Sequence, residues 1–413
     1  MKADKRLRFV PKLRFPEFRD APEWAVFRGD TLFNSIKNRS AEPGLPVLAI
    51  TQEHGAIPRD LIDYHVSVTA ESVASYKEVC KGDFIISLRS FQGGIEYSRY
   101  HGICSPAYVI LRKKGDGDDH FFRHLFKTDR FIQQLASNIE GLRDGKMISY
   151  AQFSEQLIPV PKPAEQQKIA DCLGSLDDLI AAEGRKLEAL KQHKNGLMQQ
   201  LFPQPGESVP RLRFPEFRDA GEWEEKRLGD LGTLVSGLTY SPTDVKNDGL
   251  LVLRSSNIQN GEITLDDCVY VRLDINGANL TQPDDILICV RNGSKSLIGK
   301  NAIVPKGMPV CTHGAFMTVF RASAPHFARV LLQTTAYMKQ VAADLGATIN
   351  SINGSQLLKY RFTIPKPTEQ QRIAACLFSL DEVLTAQSRK LEGLKALNQG
   401  LLQQLFPSVE GNR

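Results

Sequence analysis

Two stretches of this chain carry apolar residues at alternating spacings of four and three. Over 161–203 they are Ile169, Leu173, Leu176, Ile180, Leu187, Leu190, Leu197 and Leu201; over 365–407 they are Ile373, Leu377, Leu380, Leu384, Leu391, Leu394, Leu401 and Leu405. This is the heptad rule of a coiled coil, and it predicts a long helix in each stretch, the two pairing along this seam. Pro163 and Pro367 suit a first helical turn. Glu165 and Glu369 follow, where the helix dipole favours an acid, and Pro203 and Pro407 stop the helices. Two seam positions are polar in each copy, Glu183 and Lys194, then Gln387 and Asn398. Polar seam residues cost stability and fix register and partner. About 37 residues at ~1.5 Å each give a rod of roughly 55 Å. A helix packed only on its own domain would carry a wider apolar stripe than two positions in seven.

The remaining segments show shorter periods. VLAITQEHGAI at 47–57 aligns with VLRSSNIQNGEI at 252–263, and GDFIISLRS at 82–90 with DDILICVRN at 284–292. Cys104-Ser-Pro-Ala-Tyr aligns with Cys311-Thr-His-Gly-Ala-Phe, and FSEQLIPVP at 153–161 with LLKYRFTIP at 357–365. These β-branched and aromatic runs, bounded by Gly, Asn and Asp, predict strands joined by loops. The segments 121–141 and 325–346 each predict an amphipathic helix. The fold class is therefore α+β.

The alignments belong to a larger internal repeat. PKLRFPEFRDAPEW at 11–24 returns as PRLRFPEFRDAGEW at 210–223. The helical stretches 161–203 and 365–407 are identical at 27 of 43 positions, too many for chance, so the chain reads as the same two-part unit written twice. The period is far too long for a solenoid and suits two domains, each followed by one helix. Core runs are kept between copies while the loops diverge, as expected of two readers of different things on one scaffold.

Composition narrows the class. A hydrophobic fraction of 42% and a charged fraction of 24% are those of soluble globular protein, and no apolar run approaches a membrane span. The start, MKADKRLRFVPKLRF, is basic but lacks the apolar stretch of a secretory signal. The seven cysteines are single and odd in number, which argues against a disulfide framework or a zinc site and for reduced thiols in a cytoplasm. A net charge of +5 permits nucleic-acid binding without demanding it.

The doubled P-K-P-x-E-Q-Q-[KR]-I-A helix opening, at 161–170 and 365–374, closing two diverged domains, resembles the specificity subunits of type I restriction-modification systems. The resemblance covers essentially the whole chain. PVLAITQEHGAI and SGLTYSPT also look like target-recognition segments of that family. The GD-[FI]-[IL] strand followed by Arg is a weaker match, since the second copy has Pro-Asp-Asp. The layout implied is a target recognition domain over 1–160, a long helix over 161–203, a linker at 204–209, a second target recognition domain over 210–364, a second long helix over 365–407 and a tail at 408–413. The resemblance implies that each domain binds one half of a split, asymmetric site in double-stranded DNA. It implies that the helices pair antiparallel and set the spacing between half-sites. It also implies docking of two modification (methyltransferase) subunits and of restriction (translocase/nuclease) subunits, in the cytoplasm. S-adenosylmethionine, ATP and magnesium would sit on those partners, and this chain would bind no cofactor and no metal. The LRFPEFRD repeat is given no role beyond leading into each domain.

Base readout needs Arg or Lys for guanine and Asn or Gln for adenine, presented from loops. In the first domain the candidates are Gln52, His54, Arg59, Arg89, Ser90, Gln92, Arg143 and Lys146. In the second they are Arg254, Asn257, Gln259, Arg291, Asn292, Ser294, Lys295, Asn350 and Asn353. For any single one of them, a solvated loop residue without a role is the stronger reading. His54, His101 and His313 have no metal-ligand spacing and read as structural or surface residues. Gly293 to Asn301 differs from a phosphate loop by one extra residue and by Asn where magnesium needs Ser or Thr. Pro283-Asp284-Asp285 lacks the second acid and lysine of a nuclease and reads as the start of a buried strand. No GxGxxG follows a predicted strand, and no Asn-Pro-Pro-aromatic motif of adenine methyltransferases is present. The chain is thus expected to be a non-catalytic recognition subunit. The alternative is a coiled-coil scaffold that binds proteins without reading DNA, which the heptads would serve equally well. Because phosphate contacts scale with positive charge, the mild balance predicts weak, salt-sensitive DNA binding by the isolated chain. A titration at physiological salt that showed tight specific binding would refute this.

Overall fold

The same antiparallel four-stranded sheet is built twice. In the first copy the strand order is Phe33–Ile36, Val109–Lys113, Phe84–Ile86, Glu96–Tyr97; in the second it is Gly232–Ser236, Met317–Ala322, Ile286–Cys289, Asn301–Ile303. These positions come from a computed structural model, which describes residues 9–38, 44–62, 73–137, 148–204, 206–345 and 350–407. The central strands Phe84–Ile86 and Ile286–Cys289 are wholly buried, because an unbroken apolar run is stable only with both faces covered. Each begins after a left-handed residue, Gly82 at φ 96° and Asp284 at φ 69°. Asp tolerates that conformation better than most side chains, which explains how the second copy replaces Gly-Asp by Asp-Asp. The next residue is a buried aspartate in both copies. Asp83 accepts from the Cys80 amide at 2.7 Å and from Arg112 at 2.7 and 2.8 Å. Asp285 accepts from the Gln282 amide at 2.7 Å and from Arg321 at 2.8 Å twice. Asp285 thus belongs to a strand start, as its sequence context suggests.

The chain forms two compact units, Met1–Gly184 with Arg389–Arg413, and Arg185–Ser388. A short antiparallel pair leads into the long helix of each repeat: Ala25–Arg28 with Leu157–Val160, and Glu224–Arg227 with Arg361–Ile364. The long helices run over Pro163–Leu201 and Pro367–Leu405, 39 residues each. Each contributes one part to either unit. In the first unit Ile169, Ala170 and Leu173 of one helix share a core with Leu405 of the other and with Phe406 just beyond it. In the second unit Ile373, Ala374 and Leu377 share a core with Leu201 and the adjoining Phe202. The polar seam residues are engaged as well. In the first unit Lys390 lies 2.5 Å from Glu183, and Asn398 donates to Asp177 at 2.9 Å. In the second, Lys194 lies 2.5 Å from Asp381.

Where one amphipathic helix is expected, the structure has two in each copy: Asp119–Leu125 and Asp129–Ser137, then Pro325–Leu331 and Thr335–Asp344. A threonine makes the break. Thr128 donates to the Leu125 carbonyl at 2.8 Å and accepts from the Phe131 amide at 3.3 Å. Thr334 repeats this with Leu331 and Tyr337 at 2.7 and 3.3 Å. A hydroxyl that ends one helix and caps the next competes with continuation, and burial of Phe131 and Tyr337 pays the bend.

The LRFPEFRD repeat has a role that its sequence does not disclose. Arg14 grips Glu165 with two bonds of 2.7 Å and holds the Ala21 and Pro22 carbonyls at 2.7 and 3.0 Å. Trp24 Nε1 adds a contact to Glu165 at 3.3 Å. Arg213 does the same to Glu369 with two bonds of 2.8 Å. The adjacent Leu13 amide bonds the Gln404 carbonyl at 3.0 Å, and the Leu212 amide bonds that of Gln200 at 2.9 Å. Trp24 meets Phe406 edge-on at 6.0 Å, and Trp223 meets Phe202 likewise. The repeat therefore bolts the start of one long helix beside the end of the other within each unit. The expectation that it merely leads into each domain is corrected: its arginine is needed to satisfy the buried first glutamate of the EQQ motif.

Arg14→Ala leaves a buried carboxylate unpaired, which costs about 3 kcal/mol or more. The first unit's unfolding midpoint in urea should fall accordingly, with Arg213→Ala acting on the second unit; an unchanged midpoint would contradict the clamp. A pH effect follows from His124, which is buried with its Nε2 3.9 Å from Asp177. Burial pushes its pKa down to about 4, against an opposing pull from Asp177. The unfolded chain then binds a proton between about pH 6.5 and 4 that the folded one refuses, so stability is full above pH 6.5 and falls through that window. Thermal melting at pH 7 and pH 4.5 should show a smaller acid loss in His124→Leu than in the wild type; equal losses would refute the assignment.

Candidate nucleic-acid interface

The candidates of the second unit gather where the central strand ends. Beyond Cys289, the Val290 and Arg291 amides both donate to the Phe316 carbonyl, at 3.0 and 3.1 Å. Arg291 forms an antiparallel bridge with Ser351. The Asn292 amide bonds the Asn350 carbonyl at 3.4 Å, and Asn350 Nδ2 returns to the Gly293 carbonyl at 3.1 Å. Asn292 Nδ2 reaches Ser255 Oγ at 3.0 Å, while its Oδ1 accepts from the Ser294 amide at 3.0 Å. Arg291, Asn292, Ser294 and Asn350 thus form one patch, with exposed Lys295 in the turn that follows. Asn353 caps the helix Gly354–Leu357 through the Ser355 amide at 2.9 Å. With Arg291, Ala315 and Ser351 it lines a cavity of about 520 Å³.

Three candidates of this unit are not in that patch. Asn257 is fully buried: its Oδ1 accepts from the Arg254 amide at 2.8 Å, and its Nδ2 donates to the Thr264 and Asp267 carbonyls at 3.0 Å. It is corrected from a base contact to a loop staple, because an enclosed amide with its bonds made cannot reach a groove. Arg254 is paired with Asp267 at 2.8 Å. Gln259 lies in the hairpin of Ile258–Gln259 and Glu262–Ile263, whose tip, Asn260-Gly261, takes φ of 52° and 77°. Asn-Gly suits that tight hairpin turn, since both positions need positive φ. Arg329 and Thr385 bond this hairpin at Gly261 and Glu262, both at 3.3 Å, which ties it to the helix Pro325–Leu331 and to the second long helix.

The first unit places exposed Arg89 at the corresponding strand end, three residues past Phe84–Ile86. Gln52, from the turn between strands Leu48–Thr51 and Gly55–Pro58, contacts the Arg89 carbonyl at 3.4 Å. It also lies over Gly93, where an added Cβ would meet it at 2.5 Å. Gln52, Arg89 and exposed Gln92 are thereby brought together. His54 sits in the same turn as Gln52, its amide on Thr51 Oγ1 at 3.0 Å. Arg59 is half-buried past the second strand of that hairpin. Ser90 is corrected: it is buried, and its hydroxyl accepts from the Ser87 amide at 2.9 Å, closing the turn that exposes Arg89. Arg143 and Lys146 lie outside the described residues.

His313 is buried on the Val235 carbonyl at 3.0 Å, and burial lowers its pKa. His101 pairs with Glu78 at 2.9 Å. With Cys80 these two place their ligand atoms within 4.8 Å of one another, a cluster that cross-strand pairing makes and linear spacing conceals. The glutamate and imidazole hold each other, and burial raises the pKa of the thiol. All seven cysteines are free. In the phosphate-loop lookalike, Lys295–Leu297 forms a 3-10 turn and Asn301 Nδ2 bonds the Gly299 and Leu332 carbonyls at 3.1 and 2.9 Å. No helix among the described residues is long and apolar enough to cross a membrane.

One member of the patch escaped sequence reasoning. Phe316 is 57% exposed, with the Arg291 guanidinium 5.7 Å from its ring centroid. An aromatic at the edge of a predicted strand reads as core, so nothing in the sequence marked it.

Comparison with known proteins bears on both units. The family described as type I restriction modification DNA specificity domain matches residues 25–192 and again 220–396. The chain is 29% identical over 180 residues to the StySPI specificity subunit of Salmonella potsdam, covering 41% of this chain and 38% of that one. It is 31% identical over 168 residues to the EcoKI specificity subunit of Escherichia coli K12, covering 38% and 36%. The matched stretch thus spans little more than a third of these two relatives. The MjaVIII specificity subunit of Methanocaldococcus jannaschii aligns over 95% of this chain and 93% of its own, at 22% identity. Among solved structures, the S subunit of a type I restriction-modification system from M. genitalium superposes with a TM-score of 0.60 at 18% identity, covering 97% of this chain and 99% of that one. A chain from a structural study of type I R-M complex assembly superposes with a TM-score of 0.56, also at 18% identity, covering 94% and 98%. At that identity the likeness is one of fold.

Proposed function

This chain belongs to the type I restriction modification DNA specificity family, and on that footing we propose that it reads a bipartite, asymmetric DNA site as the recognition subunit of a type I restriction-modification complex. The observation that carries this reading is the doubling of one fold with unlike loops. Both units present an exposed arginine beyond the same strand, but Gln52 accompanies it in one and Asn292 and Asn350 in the other. Two different readers on one duplex describe a site whose halves need not be related by symmetry.

The long helices pair antiparallel as a coiled coil and act as the spacer. Support comes from each unit separately: Lys390–Glu183 and Asn398–Asp177 in the first, Lys194–Asp381 in the second. Helices of 39 residues measure about 58 Å. The chain itself performs no chemistry. Two modification subunits dock on it and supply methyl transfer from S-adenosylmethionine; restriction subunits supply ATP- and magnesium-dependent translocation and cleavage. The complex works on double-stranded DNA in the cytoplasm.

Single-molecule methylation sequencing of host DNA, with and without the gene, tests the reading. Deletion should abolish adenine methylation at one split, asymmetric motif. An unchanged methylome, with the modification subunit expressed, would favour a protein-binding scaffold instead.

A further inference from the structure

We propose that Phe316 is a positioning residue for sequence readout: its exposed ring holds the Arg291 guanidinium as a stacked plane that reads one guanine. This inference rests on the DNA-reading function proposed above. A solvated Phe is ordinarily a cost, and this one is 57% exposed beside the Arg291 guanidinium. Its backbone is fixed, since its carbonyl accepts from both Val290 and Arg291 amides at 3.0 and 3.1 Å. The base of Arg291 is fixed too, by the bridge to Ser351 and by the Asn292–Asn350 bond at 3.4 Å. Among the described residues the guanidinium has no hydrogen-bond or ion-pair partner, and it lies 5.7 Å from the Phe316 centroid, within the range of a cation–π contact.

Stacking does for an arginine what a carboxylate partner would do, with a difference that matters here. A carboxylate occupies the N–H donors and cancels the charge. A ring face restrains the plane and leaves the donors pointing outward. Guanine O6 and N7 are recognised by such a planar fork, and an arginine already held in plane loses less freedom on binding. Arg254, by contrast, spends its charge on Asp267 at 2.8 Å. Within the second unit the two arginines are thus divided between building the loop and presenting a free fork.

The test compares Phe316→Ala, Phe316→Leu, Phe316→Tyr and Arg291→Ala in the full chain expressed in its host. Methylation is read at the native motif and at its single-base variants. Arg291→Ala should lose discrimination at one guanine by about ten-fold or more. Phe316→Ala should weaken discrimination at that same guanine by about three- to five-fold and leave the other positions unchanged. Phe316→Tyr keeps a π face and should behave as wild type, whereas Phe316→Leu keeps apolar bulk without one and should behave as Phe316→Ala. Wild-type behaviour of Phe316→Leu, an effect spread evenly over all positions, or a base other than guanine at the affected position would overturn the assignment. Absence of any motif in the wild type would instead overturn the DNA-reading function itself, so the two failures are distinguishable.

Discussion

A buried arginine–glutamate pair at the head of each long helix is the contact on which the architecture turns. Arg14 and Arg213 satisfy Glu165 and Glu369, carboxylates 2% exposed that would be untenable alone. Such a pair adds little net stability, because desolvation of both charges offsets their attraction. Its effect is directional: a planar guanidinium meets a carboxylate in a narrow set of orientations. The same segment hydrogen-bonds the end of the second helix present in each unit, through Leu13 to Gln404 and through Leu212 to Gln200. Tryptophan and phenylalanine then seal the junction, Trp24 on Phe406 and Trp223 on Phe202. A helix that serves two units needs both its ends fixed, and the repeat supplies one bolt for each.

From that anchor a chain of packed elements leads to the loops that follow the central strands. The anchored helix shares a core with the paired helices Asp119–Leu125 and Asp129–Ser137, or Pro325–Leu331 and Thr335–Asp344. Those pack against the four-stranded sheet, whose central strand is fastened at its start by Asp83–Arg112 or Asp285–Arg321. The exposed arginine emerges at the far end of that strand. Side chains that hold the loops, Ser90 and Asn257, are buried; those that project from them, Arg89, Gln92, Arg291 and Ser294, are exposed. A hydrogen-bonded loop with exposed tips suits recognition, since ordering costs are met in folding rather than in binding.

Much of this was legible beforehand for a physical reason. Periodicity reports burial, so the long helices were visible, with bounds two residues inside the stretches 161–203 and 365–407 at either end. Apolar runs located the central strands. Misreadings arose where one residue type serves two ends. Thr128 and Thr334 look compatible with an amphipathic helix, and only the packing of Phe131 and Tyr337 reveals that they break it. Ser90 and Asn257 have the chemistry of base contacts, but their hydrogen-bond capacity is spent inside the fold.

The amino-acid sequence by itself determined the doubling, the α+β units, the heptad helices and the arginines beyond the central strands, because each is written in local pattern or in self-comparison. The tertiary structure alone decided which polar residues face outward, what the LRFPEFRD repeat grips, and that Phe316 lies under Arg291. These are contacts between segments far apart in the chain, such as Arg14 with Glu165 and Arg291 with Ser351. Local pattern records how much surface a residue buries; it does not record which partner it meets when the chain folds back.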